Sequence, residues 1–189
     1  MDIEYEATFV NQDKALVRER LRIAGATLIK PESVYKRVVF HLPLGHEING
    51  GWLRVRDEGD KITMTLKIVD GDKIENQKEI NLTIDNFEAG INFLEKIGAK
   101  RKAYQESKRE LWRLGGVEIT IDEWPFLEPF VEVEGKSEAE VKDVVEKIGY
   151  DYKMAKFCAV DTLYSEKYNK EKEFFDILEN ITFEMKSLF

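Results

Sequence analysis

One cysteine, Cys158, and two histidines, His41 and His46, are found among 189 residues. A lone cysteine excludes an intramolecular disulfide framework and a cysteine-based metal cluster. His41 lies in an apolar strand-like run and His46 beside Gly45 in a turn, so neither a histidine metal site nor a Ser-His triad is expected. No apolar run approaches the roughly 18 residues of a membrane span, and no charged segment leads into the apolar stretch of a signal peptide. Cytoplasmic residence is therefore the expectation, without a membrane partner. With four prolines, no low-complexity linker and no internal repeat, the chain reads as one main domain large enough for a substantial core. Basic residues are in deficit, 29 against 37 acidic, for a formal charge of −8. That balance argues against general nucleic-acid binding. An anionic ligand would need a local cationic site working against the overall field.

What the chain does have is short strand-like runs. Residues 3–9, 34–42, 52–57, 61–69, 76–84, 101–114, 117–123 and 129–134 carry period-two patterns or β-branched residues between turn signals. Glu58-Gly59-Asp60 reads as the turn of a hairpin. Helices are expected at 11–25, capped by Asn11, at 86–97, and at 137–148, where Ser137 and Glu140 suggest a capping box. The tail, 167–188, places Phe174, Ile177, Leu178, Ile181, Met185 and Leu188 at helical spacing. The expected organisation is an α+β domain over 1–165, an eight-stranded antiparallel β-barrel with surrounding helices, followed by an amphipathic C-terminal helix over 166–189. That helix would cover its own barrel, close one mouth of it, or form a homodimer contact.

The strands share one oddity. Glu4 and Glu6 alternate with Ile3, Tyr5 and Ala7; Arg54 and Arg56 alternate with Leu53 and Val55; Glu132 and Glu134 alternate with Val131 and Val133. Lys67, Glu79, Arg109 and Asp122 take comparable places on four more strands. Each alone is an ordinary solvated strand face. Repeated over seven strands, the pattern suits a barrel wrapped by helices, whose outer face is apolar and whose interior holds the charges. Clustered interior carboxylates call for a hard divalent cation. Clustered Arg and Lys call for a polyanion, since guanidinium groups match phosphate oxygens bidentately.

On these residues the sequence resembles the CYTH, or triphosphate tunnel metalloenzyme, family. The resemblance is carried by the N-terminal ExE, by LRVRDEG over 53–59, by TLK ending at Lys67, by KRELW around Arg109, and by VEITIDEWPFLEPFVEVEG over 117–135. It implies an eight-stranded tunnel that binds a triphosphate-containing small molecule with Mg²⁺ or Mn²⁺. Members include class IV adenylate cyclases and thiamine, inorganic and RNA triphosphatases. By resemblance, Glu4, Glu6, Glu79, Glu132 and Glu134 hold the metal, and Asp122 joins them or positions a catalytic water. Arg54, Arg56, Lys67 and Arg109 grip the phosphates, and Lys156 reaches the substrate or polarises the attacking water. Three places depart from the family pattern, with Thr8, Ser107 and Gln77 where basic residues are usual. Each missing charged contact would cost about 1.5–3 kcal/mol of phosphate binding; Lys36, Arg37 and Lys108 are candidates to compensate. Triphosphate hydrolysis is the expected activity. The alternatives are cyclisation of ATP to cyclic AMP and pyrophosphate, a non-catalytic polyphosphate- or nucleotide-binding module, and a barrel whose charges only pair with one another.

Overall fold

A computed structural model of the chain describes residues 1–175 and 178–188. The elements run β1 (Asp2–Ile3), β2 (Tyr5–Phe9), α1 (Lys14–Ile23), β3 (Thr27–His41), β4 (Gly51–Asp57), β5 (Ile62–Val69), β6 (Gln77–Ile84), α2 (Phe87–Lys96), β7 (Lys100–Leu114), β8 (Val117–Glu123), β9 (Phe130–Gly135), α3 (Glu138–Lys147), α4 (Val160–Tyr168), α5 (Lys172–Phe175) and β10 (Asn180–Ile181). Neighbouring strands follow the order β1-β6-β5-β4-β3-β7-β8-β9-β2. Only Glu4 separates β1 from β2, so the two ends of that path meet and the sheet closes into an antiparallel barrel. Counted round its circumference it has eight staves, β3 to β9 plus the divided N-terminal strand. The break lies where the Glu4 N–H donates to the Gln77 carbonyl at 2.9 Å and Glu6 N–H donates back to the Glu4 carbonyl at 2.9 Å. The first stave thereby pairs with β6 before the break and with β9 after it.

The apolar residues of the strands face outward and are covered by helices. Ala7, Phe9, Ile119, Ile121, Val131 and Val133 pack against Val17 and Leu21 of α1 and Val141, Val144 and Val145 of α3. Val38, Phe40 and Val55 pack against Ile91 and Leu94 of α2. Alternation then sends every second side chain of the same strands inward, which puts the charges inside. Among the turns that set the register, Gly50 is required: its φ is +68°, and a Cβ there would sit 2.0 Å from the Val69 carbonyl oxygen.

Two sequence expectations change at the ends of helices. α1 is capped by Asp13, whose carboxylate accepts from the Ala15 N–H at 2.8 Å and the Leu16 N–H at 3.1 Å; Asn11 instead takes a left-handed turn at φ 57°. The second change concerns the tail, which is not one helix. Asn169 ends α4 in the left-handed conformation, α5 spans only Lys172–Phe175, and β10 then pairs in parallel with β7 at Tyr104 and Gln105. Ile177, expected on the tail's stripe, lies outside the described residues. The physical reason is an open edge. β7 is 15 residues long and pairs with β8 only from Lys108 onward, so its first half presents an unpaired edge that the tail satisfies. Phe175, Ile181 and Leu188 are buried against Trp124, Phe130, Leu163 and Tyr164, which spends the tail's apolar residues on the chain's own barrel. No helix among the described residues is long and apolar enough to cross a membrane.

Candidate active site

The barrel encloses a cavity of about 680 Å³. Its acidic wall comes from the N-terminal stave, β9 and β6. Glu6 and Glu134 are directly opposite each other across β2 and β9, and Glu118 is opposite Glu134 across β8. Like charges in such a rung repel. One carboxylate oxygen from each of Glu4, Glu6 and Glu134 lies within 4.8 Å of the others. Burial, then the charges of Glu132, Glu4 and Glu134, hold the Glu6 carboxyl well above its ordinary range. Desolvation followed by Glu4 lifts Glu134 to about 7. Burial pushes the Glu4 carboxyl up, but the Lys67 ammonium 2.8 Å away, with lesser help from Arg54 and Glu79, brings it below the usual range. Glu79 lies 3.9 Å from Lys67 and is raised by burial and by Glu4. Glu132 is raised by burial, against the pull of Arg109, to which it is hydrogen-bonded.

The cationic wall comes from β3, β4, β5 and β7. Arg54 is 5% exposed, and its Nε has no hydrogen-bond partner among the described residues. Its Nη2 donates to Thr65 Oγ1 at 3.3 Å, and Thr65 donates in turn to Asn81 at 2.8 Å. Burial, then the neighbouring Arg56, lowers Arg54 to about 9. Arg56 is fixed by Glu58, 2.9 Å from its Nε. Arg109 donates through Nε to Asp122 at 2.7 Å and through Nη2 to Glu132. Nine sequence-derived residues thus line one cavity: Glu4, Glu6, Glu79, Glu132, Glu134, Arg54, Arg56, Lys67 and Arg109.

Two others are placed differently. Asp122 is fully buried and is not among the cavity-lining residues. Its Oδ1 accepts from Arg109 and its Oδ2 accepts from Thr120 Oγ1 at 2.5 Å, so both oxygens are engaged. With both oxygens so engaged it orients the Arg109 fork, a place different from the metal- or water-binding one expected of it. Lys156 is likewise off the cavity lining; its ammonium donates to both Glu166 oxygens at 2.8 Å. Its main chain pairs with Thr8, at 3.0 and 2.9 Å in the two directions. Lys156 is thus bridged to the N-terminal stave through its main chain and to Glu166 through its side chain.

Sequence reasoning missed Glu118 as a cavity residue and left Arg37 undecided between two neighbouring candidates. The signal for Glu118 was available, since Glu118, Thr120 and Asp122 alternate along β8. Gln77, where a base is usual, donates through Nε2 to the Glu6 carbonyl at 2.8 Å and so straps the broken stave to β6. Of the three tryptophans, Trp112 is a core residue that donates to Glu110. Trp124 lines the cavity with the Arg37 guanidinium 4.1 Å from its ring centre, and Trp52 also lines the cavity.

Glu4, Glu6 and Glu134 offer oxygen donors only, at close range and with mutual repulsion that a cation would relieve. Such a donor set fits a hard divalent ion. In the same cavity, guanidinium and ammonium groups form a surface suited to an extended polyanion.

Comparison with known proteins agrees with the fold. A search of curated proteins finds no match. Among solved structures, a protein of Pyrococcus horikoshii OT3 superposes with a TM-score of 0.67 at 21% identity, covering 87% of this chain and 99% of that one. A candidate adenylate cyclase of Vibrio parahaemolyticus gives 0.73 at 11% identity, covering 87% and 98%. A candidate adenylyl cyclase of Hippeastrum, whose structure is described as revealing a dominant triphosphatase activity, gives 0.59 at 12% identity, covering 89% and 97%. At these identities the superpositions establish the fold alone. The CYTH domain model matches residues 14–163, most of the chain, and by that match this protein is a member of the CYTH domain family.

Proposed function

We propose that the protein hydrolyses a triphosphate, with Mg²⁺ or Mn²⁺ as its metal. The observation that carries this reading is the meeting of both charges in one cavity: Glu4, Glu6 and Glu134 converge, and Arg54, Arg56, Lys67 and Arg109 line the same space, with Lys67 in contact with Glu4 and Arg109 with Glu132. Glu4, Glu6 and Glu134 would hold the cation, with Glu79 and Glu132 flanking them. Bound there, a divalent ion supplies charge neutralisation for phosphate oxygens. The basic residues bind and align the phosphate chain so that water attacks the terminal phosphorus. The bond from that phosphorus to its bridging oxygen breaks, orthophosphate is released, and negative charge develops on the departing diphosphate. Arg54, Arg56, Lys67 and Arg109 are already oriented to receive it, which is the main contribution a protein makes to phosphoryl transfer. Asp122 and Thr120 act behind Arg109, holding its fork in place.

Hydrolysis is favoured over cyclisation because cyclisation of ATP also needs a seat for the base. The face of Trp124 is covered by Arg37 and Trp112 is in the core, which leaves Trp52 as the tryptophan that the cyclase reading would have to use. The test is product analysis by ³¹P NMR with inorganic triphosphate, thiamine triphosphate and ATP, each with Mg²⁺ and with Mn²⁺, using Glu6→Gln as control. Metal-dependent orthophosphate that disappears in the control supports the reading. Pyrophosphate and cyclic AMP from ATP overturn it in favour of the cyclase. Binding of triphosphate without any product overturns it in favour of a binding module.

A further inference from the structure

Arg37 stands in one rung of the barrel, directly opposite Arg56 on β4 and Gln105 on β7. Two like charges directly opposite across a strand pair destabilise the sheet. Most of the other cavity cations have a carboxylate at hand: Arg56 has Glu58, Lys67 has Glu4, and Arg109 has Asp122 and Glu132. Arg37 has no carboxylate ion pair among the described residues. Its Nε donates to Gln105 Oε1 at 2.8 Å, and its guanidinium lies over the Trp124 ring at 4.1 Å. Desolvation, then Arg54, Arg56 and Arg109, holds Arg37 well below the ordinary arginine range. A half-buried guanidinium placed among three others, without a carboxylate partner among the described residues, is a cost to the empty protein.

The two neighbouring candidates do not share this position. Lys36 is exposed and off the cavity lining. Lys108 is paired with Glu123 at 3.2 Å and lies over Phe183. Behind Arg37, Trp124 is packed against Tyr164, Phe175, Ile181 and Leu188, so the tail backs the ring on which the guanidinium rests.

We propose that Arg37 is a further phosphate-binding residue of this cavity, aimed by Gln105 and Trp124, and that it supplies cationic charge that Thr8, Ser107 and Gln77 do not. The inference rests on the triphosphate reading above. It makes the cavity selective for a ligand that carries negative charge beside β3 and β4, where a neutral group would leave Arg37 without a counter-charge.

The experiment compares wild type with Arg37→Gln and Arg37→Lys by two measurements: thermal unfolding without ligand in EDTA, and calorimetric titration with inorganic triphosphate in EDTA and again in Mg²⁺. Arg37→Gln removes like-charge repulsion, so its unfolding temperature should equal or exceed that of wild type. Its affinity for triphosphate should fall about ten- to hundred-fold, the loss of one charge-assisted contact. Arg37→Lys should recover part of the affinity. Unchanged affinity in both variants, with tight binding by wild type, overturns the role of Arg37 and leaves the triphosphate reading standing. A lower unfolding temperature for Arg37→Gln with unchanged affinity assigns Arg37 to packing on Trp124 and also overturns it. Absence of triphosphate binding by wild type in both buffers overturns the triphosphate reading itself, and this proposal with it.

Discussion

Raising the pH from 5.5 to 8.5 in EDTA should destabilise the metal-free protein. The carboxyls of Glu6 and Glu134 are raised in the fold, Glu134 from 4.5 to about 7. A raised folded pKa means that the native state holds protons that the unfolded state releases. Its stability is therefore greatest below pH 4.5 and is lost as pH climbs through about 7 for Glu134, and the raised Glu6 carboxyl acts in the same direction. Taken whole, the Glu134 shift corresponds to about 3 kcal/mol. Glu134 is exposed to cavity water, so screening reduces its share to about 1–1.5 kcal/mol. For a domain of this size that lowers the unfolding temperature by about 2–6 °C. Saturating Mg²⁺ should reverse the trend, because binding requires ionised carboxylates and stabilises the fold by mass action. The ligand-induced shift should then be larger at pH 8.5 than at pH 5.5. Thermal unfolding followed by circular dichroism across this range, with and without Mg²⁺, measures both effects. A stability that is flat or rising between pH 5.5 and 8.5 in EDTA would refute the argument that these carboxylates repel one another.

Four substitutions and a truncation extend the test. Glu6→Gln should abolish Mg²⁺-induced stabilisation while leaving the metal-free protein at least as stable as wild type at pH 8, read by the same melts. Asp122→Asn and Thr120→Val should both lower kcat through a loosened Arg109. Asp122→Asn should also cost about 3–5 kcal/mol in urea unfolding, since it breaks a buried ion pair; stability within 1 kcal/mol of wild type would contradict the assigned pairing. Lys156→Ala should leave kcat and KM unchanged, and a hundred-fold loss of kcat would return Lys156 to the active site. Deleting residues 178–189 should bare the β7 edge at Tyr104 and the Trp124 cluster, lowering the unfolding temperature and promoting association, measured by light scattering; a monomer of unchanged stability would contradict the role given to β10.

The barrel was legible because its alternation is the inverse of the common one. Pairs such as Glu132 and Glu134 between Val131 and Val133 fix which face is apolar, and the expected helices then fix that this face is covered. The sequence could not show which inward-facing charge reaches the cavity and which is consumed by a neighbour. Asp122 shares its periodicity with Glu118, yet Thr120 and Arg109 engage both its oxygens. Arg37 looked no different from Lys36 until the register of β3 placed one inside and the other outside. The tail misled for another reason. Its apolar spacing suits a helix, but pairing with an open edge at Tyr104 outweighs local preference at Asn180 and Ile181.

The split first stave has a consequence for how the protein comes together. Residues 2–3 zip to residues 78–79 of β6, while residues 5–9 zip to residues 131–135 of β9. Both seams join distant parts of the chain, and such pairings form late because loop closure precedes their reward. On a ribosome the second seam cannot form until β9 has emerged, so the nascent barrel stays open along this side. The residues that complete it include Glu4 and Glu6, which means that the last seam to close is also the one that assembles the acidic cluster. Divalent cation should therefore act as a fastener, slowing reopening of the barrel more than it speeds folding.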